Sequence, residues 1–310
     1  MLWLISLILL VVSILFLWIV GPILFLIECL ICLASLAAVY QERKIWIHPK
    51  LPSLTMLGMT RVFIFNVVWM TVCFFQAVVT VVEAAVTTKT FLNRKHTRKL
   101  AHFFERRVAK LSVALIGPVV VNGIENLPVD EPGSPAPIYV ANHASQIDAG
   151  VVYFIERQWR WIMKSSIMFL PGVGQLTWLG DHILIDRSKG KHKNKDSVTG
   201  TRHLFVKSDE SIQEGIPMFI FPQGTRRMGE RLPFKDGAFK LAKNNDSVLV
   251  PISINIPLTA WNSLYPFGKV DPIVMTVHKP IESKGKDFET LKKETFEIIY
   301  SVLPDLTKEE

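Results

Sequence analysis

The sequence predicts an α/β domain, a mixed sheet flanked by helices, behind an amino-terminal helical anchor that crosses or is embedded in a membrane. Three observations carry this. From about residue 111 short apolar runs bounded by turn signals alternate with polar helical stretches, the texture of a sheet with helices on its faces. Two apolar runs precede them, residues 2–40 and 62–87, each long enough to cross a bilayer core. The whole 310-residue chain is 49% hydrophobic with mean hydropathy +0.30, too apolar for an ordinary soluble enzyme.

The first run carries only Glu28 as a charge and is broken at Gly21-Pro22, so it reads as two helices or a tight hairpin in the membrane. A cleaved signal peptide fits worse, because the start is not basic and the apolar region is too long. The second run carries only Glu83. Cys29 and Cys32 lie inside an apolar stretch with no nearby third ligand, so they read as packing residues, as does Cys73.

Behind the second run crowd Lys89, Arg94, Lys95, Arg98, Lys99, Arg106, Arg107 and Lys110, and the chain's net charge is +8. Positive flanks stay on the cytosolic side, so this segment and the domain behind it are expected to face the cytosol and anionic lipid headgroups. A solvated helix face or a nucleic-acid patch is the alternative; adjacency to the apolar runs favours membrane lipids as partners and no nucleic acid.

In the domain, strands are expected at 112–121, 137–141, 160–164, 182–186, 218–221, 248–254 and 273–278, and helices at 147–157, 197–214, 237–243 and 288–303. The stretch 130–135 reads as an exposed loop and 189–195 as a charged surface turn. The expected organisation is an anchor at 1–88, a basic juxtamembrane segment at 89–110, and a single core from 111 to 310.

Two constellations carry chemistry. His143 precedes Asp148 by five residues, directly after an expected strand. On a regular helix that offset places two side chains about 140° apart, so they meet only in a loop or irregular first turn. There a neutral imidazole takes a proton from a hydroxyl while the carboxylate fixes its tautomer. The competing reading is a helix-capping Asp148 beside an unrelated polar histidine. The second constellation, Phe221-Pro222-Gln223-Gly224-Thr225-Arg226-Arg227, ends a strand in a glycine turn rich in arginine, which suits an anion; a basic surface turn is the bland alternative.

An N-H-x-x-x-x-D segment followed about eighty residues later by F-P-x-G-T-R resembles the glycerolipid acyltransferase family, the lysophosphatidic acid acyltransferases and their relatives. Gly180 to Arg187 looks like that family's second motif, Lys235-Asp236-Gly237-Ala238-Phe239 resembles the stretch after the third, and Val250-Pro251-Ile252 is similar to the fourth. Gly123, Glu125 and Asn126 resemble its lead-in turn, and the likeness spans residues 111–255.

The resemblance implies acyl transfer from acyl-CoA to the sn-2 hydroxyl of lysophosphatidic acid, giving phosphatidic acid for phospholipid and triacylglycerol synthesis. It implies His143 as general base, Asp148 as its partner, and Arg187, Gln223, Gly224, Thr225 and Arg226 around the acceptor phosphate, with Lys164 a further cation. It also implies direct transfer with no covalent acyl-enzyme, no metal and no cofactor beyond acyl-CoA as co-substrate. The endoplasmic reticulum is the expected location. Alternatives are another acceptor, glycerol 3-phosphate or a different lysophospholipid, or a catalytically silent membrane scaffold. Ser145 is not read as a nucleophile, because no G-x-S-x-G elbow surrounds it. One departure stands out: Gln223 occupies the position where the family usually carries glutamate.

Overall fold

The computed structural model describes residues 94–304 except 115, 130–132, 171–172, 186–195, 228–229, 258–259, 263–264 and 267–270, together with scattered helical residues between 23 and 82. Helix α1 (Arg94–Ala114) leads into β1 (Val119–Asn122) and β2 (Ile138–Ala141), followed by α2 (Asp148–Val151) and β3 (Arg160–Lys164). Next come α3 (Val173–Leu179), β4 (Ile183–Ile185), α4 (Asp196–Gln213), β5 (Met218–Ile220), α5 (Gly237–Asn245) and β6 (Leu249–Asn255). A two-stranded ribbon, β7 (Trp261–Asn262) with β8 (Tyr265–Pro266), precedes β9 (Ile273–Val277) and α6 (Phe288–Ser301).

The main sheet has seven strands in the order β1-β9-β6-β2-β5-β3-β4. β2 lies at its centre, parallel to β5 on one side and β6 on the other, and β9 runs antiparallel to β6. The sheet is therefore mixed and helix-flanked, as the alternation predicts. Every residue of β2 is buried, the signature of a parallel strand covered on both faces. Its side chains alternate between two cores: Tyr139 and Ala141 pack with Trp161, Phe219, Ile252 and α1, while Ile138 and Val140 pack with Met218, Phe239, Leu291 and Ile299.

Two expectations change. The strand expected at 112–121 begins only at Val119, because α1 continues to Ala114, burying Ala101, Phe104, Val108, Ala109 and Val113 along one stripe. The helix expected at 147–157 is only one turn, Asp148–Val151, followed by a 3₁₀ segment, Val152–Ile155, that Glu156 ends at φ 56°. Gly150 and the β-branched and aromatic run from Val151 to Ile155 give this segment poor α-helical propensity. The anchor expected at 1–88 lies largely outside the described residues. Among those described, no helix is long and apolar enough to cross a membrane. Trp69, Val72, Cys73 and Ala77 pack against Phe104, Val108 and Leu176.

Candidate active site

β2 ends at Ala141, and Asn142 anchors the start of the loop behind it: its amide donates to the Ile254 carbonyl at 2.9 Å and accepts the Ile254 N–H at 2.8 Å. Both edges of the Asn142 amide are thus committed to β6, which sets where the next residue projects. That residue is His143. Its Nδ1 lies 2.9 Å from Asp148 Oδ2, and the same oxygen accepts the backbone N–H groups of Ala144 at 2.6 Å and Ser145 at 2.8 Å. The other carboxylate oxygen accepts the Ser145 hydroxyl at 3.0 Å. Asp148 is fully buried, so the loop is wound around one carboxylate, and α2 starts at that residue.

This geometry decides two sequence alternatives at once. Asp148 organises the backbone turn ahead of α2 and bonds the imidazole, but it does not cap the helix, whose cap position is Ile147 with no side-chain cap bond, so the capping reading falls and the pairing with His143 stands. Because a carboxylate only accepts, Nδ1 carries the proton and Nε2 presents its lone pair. The ring is 17% exposed. Ser145 Oγ spends its proton on Asp148 and is buried, which removes it as a nucleophile.

The turn after β5 closes on the same loop. Gln223 accepts the His143 backbone N–H, and the Arg227 N–H donates to the His143 carbonyl at 3.2 Å, so His143's backbone is held on both sides. An amide oxygen performs the first task as a carboxylate would, so Gln223 preserves the geometry while withdrawing a charge. Gly224 sits at φ 68°, and its N–H closes the turn onto Phe221 at 3.0 Å. Only glycine adopts that backbone freely.

His143 lines a cavity of about 60 Å³ with Gln223, Arg227, Arg231, Asn255 and Tyr300. The cations of this cavity are Arg227 and Arg231, neither among the residues expected to bind substrate. Arg227 lies 3.4 Å from Glu230, and the Arg231 guanidinium sits over the Tyr300 ring. Burial pushes the Tyr300 hydroxyl up to about 12 against the opposing pull of Arg231, so it stays protonated. Thr225 and Arg226 are exposed on the turn outside the cavity lining, and Lys164 is exposed at the end of β3. Arg187 lies outside the described residues. Arg227 belongs to the arginine-rich turn legible in the sequence, whereas Arg231 escapes sequence reading because Tyr300, from the distant α6, completes the wall they share.

On the other side of the loop, Gln146, Ile147 and Gly150 border a mainly apolar cavity of about 140 Å³, walled by Trp69, Val108, Trp161, Met163 and Leu176. Trp159 and Trp161 are buried, whereas Phe169 is 86% exposed. Glu105 enters this wall from α1, held by His182 Nε2 at 2.9 Å and the Tyr153 hydroxyl at 3.0 Å. Burial alone would raise its pKa, but His182 and His102 outweigh burial and bring it to about 2. A Cβ on Gly180 would come within 2.8 Å of His182 Nε2 and 2.9 Å of Glu105 Oε1, so glycine there leaves room for this bond.

Residues 118–255 match the Acyltransferase family. The chain is 30% identical over 216 residues to a 1-acyl-sn-glycerol-3-phosphate acyltransferase of Chlamydomonas reinhardtii, covering 68% of this chain and 60% of the relative. It is 27% identical over 197 residues to a chloroplastic enzyme of that name from Arabidopsis thaliana, covering 62% and 51%, and 29% identical over 166 residues to one from Salmonella typhimurium, covering 53% and 61%. The chain thus spans between half and two thirds of the length of these relatives. Its fold is similar to the crystal structure of the 1-acyl-sn-glycerophosphate acyltransferase of Thermotoga maritima, with TM-score 0.56, 23% identity, and coverage of 77% of this chain and 94% of that one. The matched region runs from the lead-in to β1 through β6 and holds both the His143–Asp148 loop and the Gln223 turn, so it is over these residues that the chain is similar to the acyltransferases.

Proposed function

We propose that this chain transfers a fatty acyl group from acyl-CoA to the sn-2 hydroxyl of 1-acylglycerol 3-phosphate. The observation that carries the reading is the imidazole of His143, fixed through Nδ1 by a buried carboxylate and placed on the wall of a cavity that Arg227 and Arg231 also line, with Glu230 offsetting one of the two positive charges. Nε2 takes the proton as the acceptor hydroxyl attacks the thioester carbonyl. The C–S bond breaks, the thiolate leaves, and the imidazolium returns the proton to it, giving phosphatidic acid and free CoA. Asp148 stabilises the imidazolium in between. The guanidinium groups favour an acceptor with a terminal phosphate. The apolar cavity behind Ile147 suits the acyl chain.

The test is CoA release by the purified full chain, wild type against His143→Ala, with lysophosphatidic acid, glycerol 3-phosphate and lysophosphatidylcholine as competing acceptors. Loss of the base lowers the rate on the order of 10²–10⁴-fold. Undiminished turnover in the variant overturns the mechanism, and preference for lysophosphatidylcholine overturns the acceptor. Faster turnover with acyl carrier protein thioesters would replace the donor.

The reading includes attachment to a membrane, the endoplasmic reticulum with the domain on its cytosolic side. Both substrates carry acyl chains, and drawing one into water costs about 0.8 kcal/mol per CH₂. Supporting it, Phe75, Val78, Val79 and Val82 are exposed apolar residues in the second apolar run. Helix α1 presents Lys95, Lys99, Phe103, Arg107 and Leu111 along one exposed stripe, a mixture suited to anionic headgroups. Release of the chain from membranes by alkaline carbonate would overturn an integral anchor.

A further inference from the structure

We propose that Phe221 is a positioning residue that holds the plane of the His143 imidazole, and that Trp161 and Tyr153 hold Phe221 in turn. This deepens the reading of His143 as general base and rests on it. One hydrogen bond at Nδ1 fixes where the edge of a histidine ring points but leaves the ring free to swing about the Nδ1···O line. The last torsion of histidine is intrinsically broad, so a second restraint is needed if Nε2 is to aim at one spot. The Phe221 ring supplies it. It lies face to face with the imidazole, centroids 4.1 Å apart and planes 11° from parallel. Asp148 grips the edge of the base and Phe221 its face.

The phenyl ring is itself constrained. Trp161 stacks behind it at 5.5 Å and 23°, and Phe219 closes the side at 5.4 Å. Trp161 is buried, and its two N–H groups are both engaged. The indole N–H donates to the Tyr153 hydroxyl at 3.0 Å, which donates to Glu105 at 3.0 Å. The backbone N–H donates to His182 Nδ1 at 3.2 Å, and His182 Nε2 lies on Glu105 at 2.9 Å. An aromatic stack running inward from the base therefore ends in a buried, hydrogen-bonded carboxylate, and a tilt of Phe221 would have to disturb that network. The same face-on contact favours the imidazolium, because the π face of a phenyl ring attracts a cation.

The test compares Phe221→Leu, which keeps apolar bulk but loses the flat face, with Phe221→Tyr, which keeps the face. Expected for the leucine variant is a fall in kcat on the order of 10–10²-fold, the cost of a misaimed reacting group. KM for both substrates stays near wild type, and the tyrosine variant turns over much faster than the leucine variant. Equal rates for the two variants, or a change confined to KM, overturn the proposal. A second readout needs no turnover: in protein carrying labelled histidine, the His143 ring protons, assigned by their loss in His143→Ala, resonate upfield because they sit over a phenyl ring. In Phe221→Leu that resonance moves downfield. A wild-type His143 signal without an upfield displacement overturns the stack even should the leucine variant fail to fold. A wild type that shows the displacement yet acylates no acceptor leaves the stack standing and removes the acyltransferase reading.

Discussion

Asp148→Asn separates the two tasks that one carboxylate performs. Oδ2 accepts from His143 and from the backbone N–H groups of Ala144 and Ser145, so the asparagine oxygen must occupy that corner to keep the loop closed. Its amide then points at Ser145 Oγ, which can accept as well as donate. The loop and the Nδ1–H tautomer survive, and what disappears is the negative charge facing the imidazolium. At an effective dielectric of about 20, unit charges separated by the observed 2.9 Å attract by about 6 kcal/mol, which sets a ceiling. The amide dipole retains part of this, and solvent reaching the 17%-exposed ring screens more, so about 3–4 kcal/mol is expected to be lost, a drop of 10²–10³ in kcat. Asp148→Ala removes the brace too, leaving three donors besides the imidazole to find new partners, so its melting temperature falls where that of the asparagine variant holds. CoA release and thermal melting of both variants check this. An asparagine variant with wild-type kcat would reduce Asp148 to a loop brace and refute the dyad.

The remaining expectations concern stability. Glu105 titrates near 2 in the folded protein against an ordinary 4.5, so its contribution is complete above pH 4.5 and is lost as pH falls towards 2, on the order of 3 kcal/mol in all. Glu105→Gln should flatten the acid limb of a plot of urea midpoint against pH; parallel curves for the two proteins would sink the assignment. Asn142→Ala orphans the N–H and the carbonyl of Ile254, at about 1–3 kcal/mol for each buried group, and a melting temperature equal to wild type would show that β6 does not depend on this bridge. Gln223→Leu removes the acceptor of the His143 N–H at a similar cost of about 1–3 kcal/mol, whereas Gln223→Glu keeps an acceptor there. Equal destabilisation by the two substitutions, measured by thermal melting, would mean that shape rather than hydrogen bonding holds this position.

What the sequence showed and what it hid divide along the range of the interactions. The His143–Asp148 pairing is legible because everything that makes it lies within a few residues, and β2, β5, β6 and β9 are legible because buried strands are written as short apolar runs between turns. Helix α1 is not, since its seven lysines and arginines outnumber the five apolar residues of the buried stripe and read as a basic juxtamembrane segment. The departure at Gln223 could be seen in the sequence, but its consequence could not. Its bond to His143 joins residues eighty apart, and only then is it plain that an amide replaces a carboxylate without loss of an acceptor. Arg231 and the Phe221 stack are hidden for the same reason. Each depends on which rings and chain ends the sheet brings side by side, and local pattern does not specify that.

The sheet order also explains why the chemistry gathers where it does. β2 and β5 are parallel neighbours, so their carboxyl ends open on the same edge. From β2 the chain passes through α2 to β3, packing Ile147 and Val151 on the face that holds Tyr139 and Trp161. From β5 it passes through α5 to β6, packing Phe239 and Leu241 on the opposite face with Ile138 and Val140. Adjacent strands whose connections leave to opposite faces create a crevice at their carboxyl ends, the place where α/β sheets bind ligands. His143 lies at the end of β2 and Phe221 at the end of β5, so the imidazole and the ring that faces it border this crevice from its two sides. The Asn142 bridge to Ile254 closes the third side from β6, and Asn255 at the end of that strand joins the cavity wall. The His143 imidazole, the carboxylate on its edge, the phenyl ring on its face and two cavity arginines thus meet because three neighbouring parallel strands end together.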